Sequence, residues 1–328
     1  MDPSFTIRPC QDIEEACHYF LTWPVQEGWN HATDDEEVRQ VFYPCDPSGF
    51  FLGTIKDTAG QETVVASLLA LGHTDELAWI GCYIVDKAHR GKGYGIKLFQ
   101  HGLDHLKGYR YIGLDAVLTV VPAYERSGFK QSWLCKTFRV DMVKDVLAKL
   151  SPDDYQNVAV ADWTDDDSIQ EMARLEQRCT GYYRPVFWKQ WIQMHTGPTR
   201  TGDCAKNHGR LAAKVLDQHG KLAHFASLRP AVKGFALVLY SQDPHVAEAL
   251  LRYLVQSVVD CSSSAHWSLA KDHQMLLDAN GCGDNPASFA LYEKLGFIVV
   301  TTHRRMYHDA YPTGDLSGLF SVASLTIG

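Results

Sequence analysis

The chain has 328 residues, a length that accommodates two ordinary domains or one large domain. Hydrophobic residues make up 45% of the chain and charged residues 21%, so a sizeable core is expected and extended disorder is not. The net charge of −8 argues against a nucleic-acid-binding protein, whose binding surface is usually basic.

Cysteine usage and hydropathy exclude several further classes of protein. Nine cysteines form no CxxC pair, so neither a disulfide framework nor a zinc site is signalled, and no metal is expected. The N-terminal stretch is too acidic and polar for a signal peptide. No apolar run approaches the roughly 20 residues that span a bilayer. We therefore expect a soluble, cytoplasmic protein without a membrane partner.

The hydrophobic pattern of the first 71 residues predicts three strands and two helices. In chain order these are strand 5–8, helix 13–21, a second helix ending near residue 42, and strands 49–55 and 63–71. Thr33 and Glu36 have the spacing of a capping box at the start of the second helix. A loop at 23–30, with two tryptophans, separates the helices.

The stretch from Trp79 to Lys107 contains an apolar strand, a basic glycine-rich turn and a helix with one apolar face. The turn has the sequence Arg90-Gly91-Lys92-Gly93-Tyr94-Gly95. Backbone N–H groups in such a turn, together with the helix N-terminus, offer donors and partial positive charge to an anion. Glycines allow the backbone to approach the ligand closely, and the two cationic side chains suit phosphate oxygens.

The turn does not have the sequence of the common nucleotide-binding loops. A Walker A loop requires GxxxxGK followed by Ser or Thr, and that pattern is absent here. The GxGxxG pattern is absent too. An ordinary basic strand-to-helix turn is the alternative interpretation.

A short strand and a Tyr-Glu-Arg-Ser-Gly-Phe segment follow the helix, and both have counterparts later in the chain. Leu114-Asp115-Ala116 corresponds to Leu276-Leu277-Asp278-Ala279, and Tyr124–Phe129 corresponds to Tyr292–Phe297. The sequence therefore contains an internal repeat. A helix from 143 that Pro152 ends marks the boundary between the copies.

The second copy restarts the pattern of strands and helices. Its predicted elements are strand 158–160, helices 168–179 and 186–194, strands 211–216, 222–228 and 235–240, and helix 245–259. In place of the glycine-rich turn it has Ser241-Gln242-Asp243-Pro244-His245-Val246. This segment has no glycine or arginine, and Asp243 would repel a pyrophosphate.

The order strand, Arg-x-x-Gly-x-Gly, helix, strand, Tyr-Glu-Arg-x-Gly-Phe resembles the GCN5-related N-acetyltransferase (GNAT) superfamily. That resemblance implies an α/β (α+β) fold with a mostly antiparallel twisted sheet flanked by helices, and acetyl-CoA as co-substrate. The segments Glu27–Asn30 and Asp46–Phe51, and the ending SGLFSVASLTIG, resemble bacterial YitH-like proteins, a subgroup with a second, divergent GNAT-like domain. This resemblance covers nearly the whole chain.

The resemblance implies two tandem domains with different roles. We expect an acetyl-CoA-binding acetyltransferase domain at residues 1–150 and a degenerate GNAT-like domain at residues 151–328. Because the second copy lacks the turn, it is expected to have lost cofactor binding. Its remaining roles are packing, forming one wall of the substrate cleft, or making a homodimer.

The resemblance also implies roles for individual residues in the first copy. A bulge in the central strand is expected to free the backbone of Ile84 and Val85 for the pantetheine arm, while Arg90–Gly95 hold the diphosphate. Tyr124 corresponds to the family tyrosine near the sulfur, a candidate general acid, although it is alternatively a core aromatic. Cys82, on the central strand, is expected to be a buried structural residue rather than a nucleophile.

The general base and the acceptor pocket are predicted less directly. Glu27, in the loop on the substrate side, is a candidate base, and Asp115, on the strand beside the cleft, is another; either carboxylate alternatively caps backbone amides. Trp23, Trp29 and Asn30 are candidates for the lining of the acceptor pocket.

These expectations favour an N-acetyltransferase whose acceptor is a small amine or an amino-acid-like molecule. Two alternatives stay open: a non-catalytic acyl-CoA-binding or regulatory protein, and an enzyme that acetylates a protein or peptide.

Overall fold

One continuous sheet takes strands from both halves of the chain. The computed structural model describes residues 5–140, 143–151, 157–197, 206–261 and 276–328. Its strands are β1 (Thr6–Pro9), β2 (Phe50–Lys56), β3 (Glu62–Gly72), β4 (Leu77–Val85), β5 (Tyr111–Val117), β6 (Phe129–Val140), β7 (Val158–Val160), β8 (Leu211–Leu216), β9 (Leu222–Ala231), β10 (Gly234–Tyr240), β11 (Leu276–Cys282), β12 (Ile298–Asp309) and β13 (Leu319–Ser321).

The helices lie on both faces of this sheet. They are α1 (Ile13–Gln26), α2 (Tyr43–Cys45), α3 (Tyr94–His105), α4 (Val121–Arg126), α5 (Val143–Lys149), α6 (Asp166–Thr180), α7 (Pro185–Thr196), α8 (Pro244–Cys261) and α9 (Pro286–Leu295). A π-helix at Val38–Phe42 precedes α2. Within the described ranges, no helix is long and apolar enough to cross a membrane.

The two halves exchange strands at the centre of the sheet. The strand order is β1-β2-β3-β4-β5-β12-β6-β11-β10-β9-β8-β7, with β13 beside β10. Thus β12, from the second half, lies between β5 and β6 of the first half, and β6 lies between β12 and β11. Among the described strands, only β4–β5 and β10–β11 pair in parallel. The predicted α/β fold with a mostly antiparallel sheet is confirmed.

Three buried apolar clusters show which helices pack on each face of the sheet. On one face, α1, the π-helix, α6 and α7 share a single core with strands from both ends of the sheet, including Leu69 of β3 and Phe225 of β9. On the opposite face, α3 and α4 cover the first half, and α5, α8 and α9 cover the second half. Because β3 and β9 contribute to one core, the sheet wraps around it.

A buried ion pair joins each half to the strand that the other half contributes. Arg139 of β6 lies opposite Asp278 of β11 and donates to both carboxylate oxygens, at 2.7 and 2.6 Å. Arg305 of β12 lies opposite Asp115 of β5 and donates in the same way, at 3.0 and 2.7 Å. Bidentate geometry of this kind fixes strand register as well as charge.

Two predicted boundaries near the N-terminus were wrong. Helix α1 runs to Gln26, past the predicted end at residue 21, and contains Pro24 near its C-terminal end. The second helix is not started by Thr33, because the Asp34 carboxylate accepts the Glu36 N–H, and the turn that follows is a π-helix.

Candidate functional site

Strand β4 contains a bulge at Cys82. Ser67 of β3 pairs with Ile84, whereas Leu69 pairs with Gly81, so β4 has one extra residue between these pairs. Cys82 has a φ of +42°, a conformation that residues other than glycine rarely adopt. The Ser67 hydroxyl donates to the Cys82 carbonyl at 3.2 Å and holds the bulge.

Beyond the bulge, β4 separates from its parallel neighbour. The β4–β5 pairs run only from Leu77 to Trp79, although β4 continues to Val85. The backbone of Ile84 and Val85 is therefore not paired to β5 in the described structure.

Burial raises the pKa of the Cys82 thiol to about 12, as expected for a structural cysteine.

The glycine-rich turn follows β4 after a short 3₁₀ turn at Lys87–His89 and leads into α3. Gly91 and Gly93 have φ values of +77° and +82°, and a side chain at either position would point into open space. Gly93 is the N-cap of α3, and no side chain caps the first N–H groups of this helix. Gly95 lies so close to Tyr83 that a Cβ at position 95 would overlap the Tyr83 hydroxyl.

The side chains of the turn differ in what they contact. Arg90 donates to the Val85 carbonyl at 2.8 Å and to the Glu27 carboxylate at 2.7 Å. Lys92 is exposed. Tyr94 is buried and stacks on Phe5, with ring centroids 4.4 Å apart, so only its backbone faces the turn.

Tyr124 of α4 lies close to Tyr83 and packs on Phe99, with ring centroids 5.4 Å apart. Its hydroxyl has no hydrogen-bond partner among the residues that the structure describes. Burial, with a smaller contribution from Tyr83, raises the pKa of Tyr124 above its ordinary value. The hydroxyl is therefore protonated at neutral pH and available as a donor.

The corresponding tyrosine of the second copy has a different environment. Tyr292 is fully buried and its hydroxyl donates to the Phe320 carbonyl at 3.1 Å. At the N-terminus of α8, the Asp243 carboxylate accepts the His245 N–H at 2.8 Å. A carboxylate of the chain itself thus lies where the first copy has only glycine backbone.

The separation of parallel strands also recurs in the second copy, but there it is filled. The β10–β11 pairs end at Leu237 and Ala279. Strand β13 then pairs with Leu239 and Tyr240 of β10. Ser321 of β13 donates to the Leu237 carbonyl at 2.7 Å and accepts the Asn280 N–H at 2.9 Å, joining both strands.

The residues predicted for the acceptor pocket, and the predicted base Glu27, lie in different parts of the structure. Trp23 lies on α1 rather than in a loop, and Trp29 is 41% exposed. Asn30 connects the halves, because its side chain donates to Asp278 at 2.8 Å and accepts the Lys233 N–H at 2.8 Å. Glu27, at the C-cap of α1, is brought to the glycine-rich turn by Arg90.

Asp115 does not face a cleft. Its side chain is 1% exposed and is held by Arg305, whose guanidinium lies between the rings of Trp79 and Trp133 at 4.6 and 4.5 Å. Arg305 also donates to the Tyr182 hydroxyl at 2.9 Å. We therefore replace the predicted substrate or base role of Asp115 by a structural one.

Sequence reasoning missed a group of buried charges where the halves meet. Glu37, beside the π-helix, faces Arg229 of β9, and Arg210 pairs with Asp34. Arg210 also lines a cavity of about 690 Å³ between the π-helix and α7. These residues are far apart in the sequence and follow no motif, so only the fold brings them together.

Comparisons with known proteins agree with this geometry. The sequence profile of the acetyltransferase (GNAT) family matches residues 10–129. The holothin acyltransferase of Pseudoalteromonas sp. (strain SANK 73390) is 26% identical over 315 residues, which cover 93% of this chain and 89% of the relative.

Solved structures show the same fold across the whole chain. A putative acetyltransferase from Pyrococcus horikoshii has a TM-score of 0.70 and 15% identity, covering 100% of this chain and 97% of its own. A tandem GNAT protein from the clavulanic acid biosynthesis pathway has a TM-score of 0.58 and 17% identity, covering 94% of this chain and 99% of its own.

Proposed function

We propose that this chain is an acyltransferase of the GNAT superfamily and that it transfers the acetyl group of acetyl-CoA to the amine of a small acceptor. The observation that carries this proposal is the contrast between the two copies. In the first copy no described strand pairs with β4 beyond Trp79 on the side of β5, and a Cβ at Gly91 or Gly93 would meet no other atom of the described chain. In the second copy β13 and Asp243 occupy the equivalent positions.

The residues of the first copy have distinct proposed roles in binding acetyl-CoA. The backbone of Ile84 and Val85 holds the pantetheine arm as an added strand would. The N–H groups of Gly91–Gly95 and the N-terminus of α3 hold the diphosphate, with Arg90 and Lys92 adding charge. Arg90 has to leave Glu27 to reach a phosphate, and the proposed role of Glu27 as a base depends on that release.

Tyr124 is the proposed general acid. Amine attack on the thioester forms the C–N bond, and collapse of the tetrahedral intermediate breaks the C–S bond. The Tyr124 hydroxyl donates its proton to the departing thiolate, while backbone N–H groups at the bulge stabilise the oxyanion.

The proposed division of labour assigns acetyl-CoA binding to residues 1–150 and scaffolding to residues 151–328. The strand exchange supports a scaffolding role, because β5 has no neighbour on its outer side without β12.

A turnover screen tests the proposal. The full chain is incubated with acetyl-CoA and a panel of amines and amino acids, and free thiol release is followed. We expect release that depends on at least one small amine. Tight acetyl-CoA binding with no turnover of any amine, but with acetylation of peptides, would contradict a small acceptor; binding with neither activity would favour the non-catalytic alternative.

A further inference from the structure

The buried charges between the halves centre on Glu37. Its side chain is 1% exposed, and neither carboxylate oxygen has a hydrogen bond within the part of the chain that the structure describes. Its nearest cation is Arg229, whose Nε lies 3.4 Å from Oε1 without bonding geometry. A buried carboxylate with two unused oxygens is costly unless a donor from outside the chain completes it.

The two arginines also have unused donors. Arg210 donates through one terminal nitrogen to Asp34, but its Nε has no partner in the described ranges, and the same is true of Arg229 Nε. Both side chains are about nine-tenths buried or more. Guanidinium N–H groups left in this way suit the oxygens of a carboxylate.

Two histidines border the arginines without adding charge. Burial, then the charge of Arg229, lowers the pKa of His31 to about 3. Burial likewise lowers the pKa of His195 to about 3, and the nearby Arg210 and Arg229 contribute. Both imidazoles are therefore neutral at pH 7, and each has an Nε2 atom without a partner in the described structure.

Burial raises the pKa of Glu37, and the charges of Arg229 and Arg210 act against that shift, so the charge balance of the cluster depends on these two arginines. Two carboxylates, Glu37 and Asp34, face two guanidiniums, Arg210 and Arg229. A ligand with one net charge would leave this buried site with an uncompensated charge, whereas a zwitterion adds none. The unused acceptors on Glu37 and unused donors on the arginines match the two ends of a zwitterion.

The cluster lies within electrostatic reach of the β4 bulge. Val38, the residue after Glu37, and Cys82 of the bulge belong to the same buried apolar core, and the charge of Glu37 adds to the burial that raises the pKa of Cys82. The bulge is where the proposed function places the thioester, so a group bound to Glu37 is near the reacting carbonyl.

We propose that this cluster is the acceptor site and that it binds an amino acid, with the ammonium on Glu37 and the carboxylate on Arg210 and Arg229. The proposal rests on the proposed acetyl-transfer function and narrows its acceptor class. Glu37, rather than Glu27, takes the first proton from the ammonium, which leaves a neutral amine. The amine forms the C–N bond, the C–S bond breaks, and the thiolate takes a proton from Tyr124. The second amine proton re-protonates Tyr124 through solvent, and Glu37 releases the first proton to solvent, so each turnover yields the amide, free coenzyme A and one proton.

The first test needs no variant. The full chain with saturating acetyl-CoA is assayed by thiol release on each of the twenty amino acids and on the corresponding carboxamides, which keep the amine and lose the carboxylate. We expect at least one amino acid to be acetylated with a kcat/KM at least about 100-fold above that of its carboxamide. Equal rates within each pair, or turnover of plain amines only, would overturn the proposal.

Variants then assign the two ends of the acceptor. Glu37→Gln should lower kcat at least about 100-fold, whereas Glu36→Gln, the same change one residue earlier, should leave it unchanged. Arg229→Gln should raise KM for the amino acid and narrow its advantage over the carboxamide. Calorimetry with acetyl-CoA on each variant shows whether the variant is folded. If the wild type does not bind acetyl-CoA, the proposed function is wrong. If the wild type binds acetyl-CoA and Glu37→Gln turns over at the wild-type rate, only this inference is wrong.

Discussion

The two corresponding tyrosines of the repeat, Tyr124 and Tyr292, differ in the hydrogen bonding of their hydroxyl groups. The Tyr124 hydroxyl has no partner in the described structure, whereas the Tyr292 hydroxyl is bonded to a backbone carbonyl. The Tyr124 side chain is only half-buried, so its hydroxyl is open to a ligand as well as to water. The same residue type thus has a proposed catalytic role in one copy and a structural one in the other.

Tyr124→Phe removes the proposed acid and keeps the ring that packs on Phe99. We expect kcat to fall by about 10²-fold, the range for general acid catalysis, with little change in KM for acetyl-CoA. Tyr292→Phe is the matched control, and it should lower stability without lowering kcat. An unchanged kcat for Tyr124→Phe, where chemistry limits turnover, would make Tyr124 a packing residue.

Asp46 is expected to make stability depend on pH in the acid range. Burial of this carboxylate opposes ionisation, but hydrogen bonds from His105, Ser48 and the Gly72 N–H outweigh burial and lower its pKa to about 2. The folded-state pKa lies below the unfolded value, so this stabilisation is present above pH ~4 and is lost as the pH falls toward 2.

Between pH 5 and pH 2, the free energy of unfolding of the wild type should therefore fall by about 2 kcal/mol more than that of Asp46→Asn. Urea unfolding at a series of pH values measures this slope. Asp104→Asn, which removes an exposed carboxylate from α3, is the control. A variant with the wild-type slope would show that Asp46 does not contribute to acid stability.

At the scale of elements, β13 explains why the second copy differs from the first. It occupies the space where β10 and β11 separate and bonds to both through Ser321. In the first copy none of the described strands pairs with Ile84 and Val85 on the side of β5. A strand of the chain itself therefore takes the place that the proposed function gives to pantetheine.

Ser321→Ala should destabilise the protein by about 1–3 kcal/mol, because it leaves the buried Leu237 carbonyl and Asn280 N–H without a partner. The affinity for acetyl-CoA should not change. Ser317→Ala, at an exposed position two residues before β13 begins, is the control with little expected effect. No loss of stability in urea unfolding would contradict the role given to β13.

Local elements were predictable from sequence where they depend on neighbouring residues. The hairpin of β2 and β3, helix α8 and the glycine-rich turn all follow from hydrophobic period, turn residues and glycine spacing. The end of α1 was missed because Pro24, a helix breaker in most contexts, is accommodated close to the C-terminus.

At the scale of the molecule, the strand exchange could not be predicted. Residues of β6 continue directly from Tyr124 and α4, and no local pattern indicates that they pair with β11 and β12. Asp115 was misassigned for the same reason, since its partner Arg305 lies in the other half of the chain. The Glu37 cluster is a third case, in which long-range contacts alone create the site.

The exchange also decides how binding must be measured. Cutting the chain near residue 150 would remove β12 from between β5 and β6, so neither half keeps its sheet. The full chain is therefore the proper sample for binding experiments.

Isothermal titration calorimetry of acetyl-CoA against the full chain tests the central claim, that only the first copy binds the co-substrate. We predict a stoichiometry near one per chain. Gly93→Asp should abolish binding, because its carboxylate would enter the phosphate site. Gly60→Asp, at the same φ of +82° in an exposed turn, should bind as the wild type does. Two sites per chain, or undiminished binding by Gly93→Asp, would contradict the account.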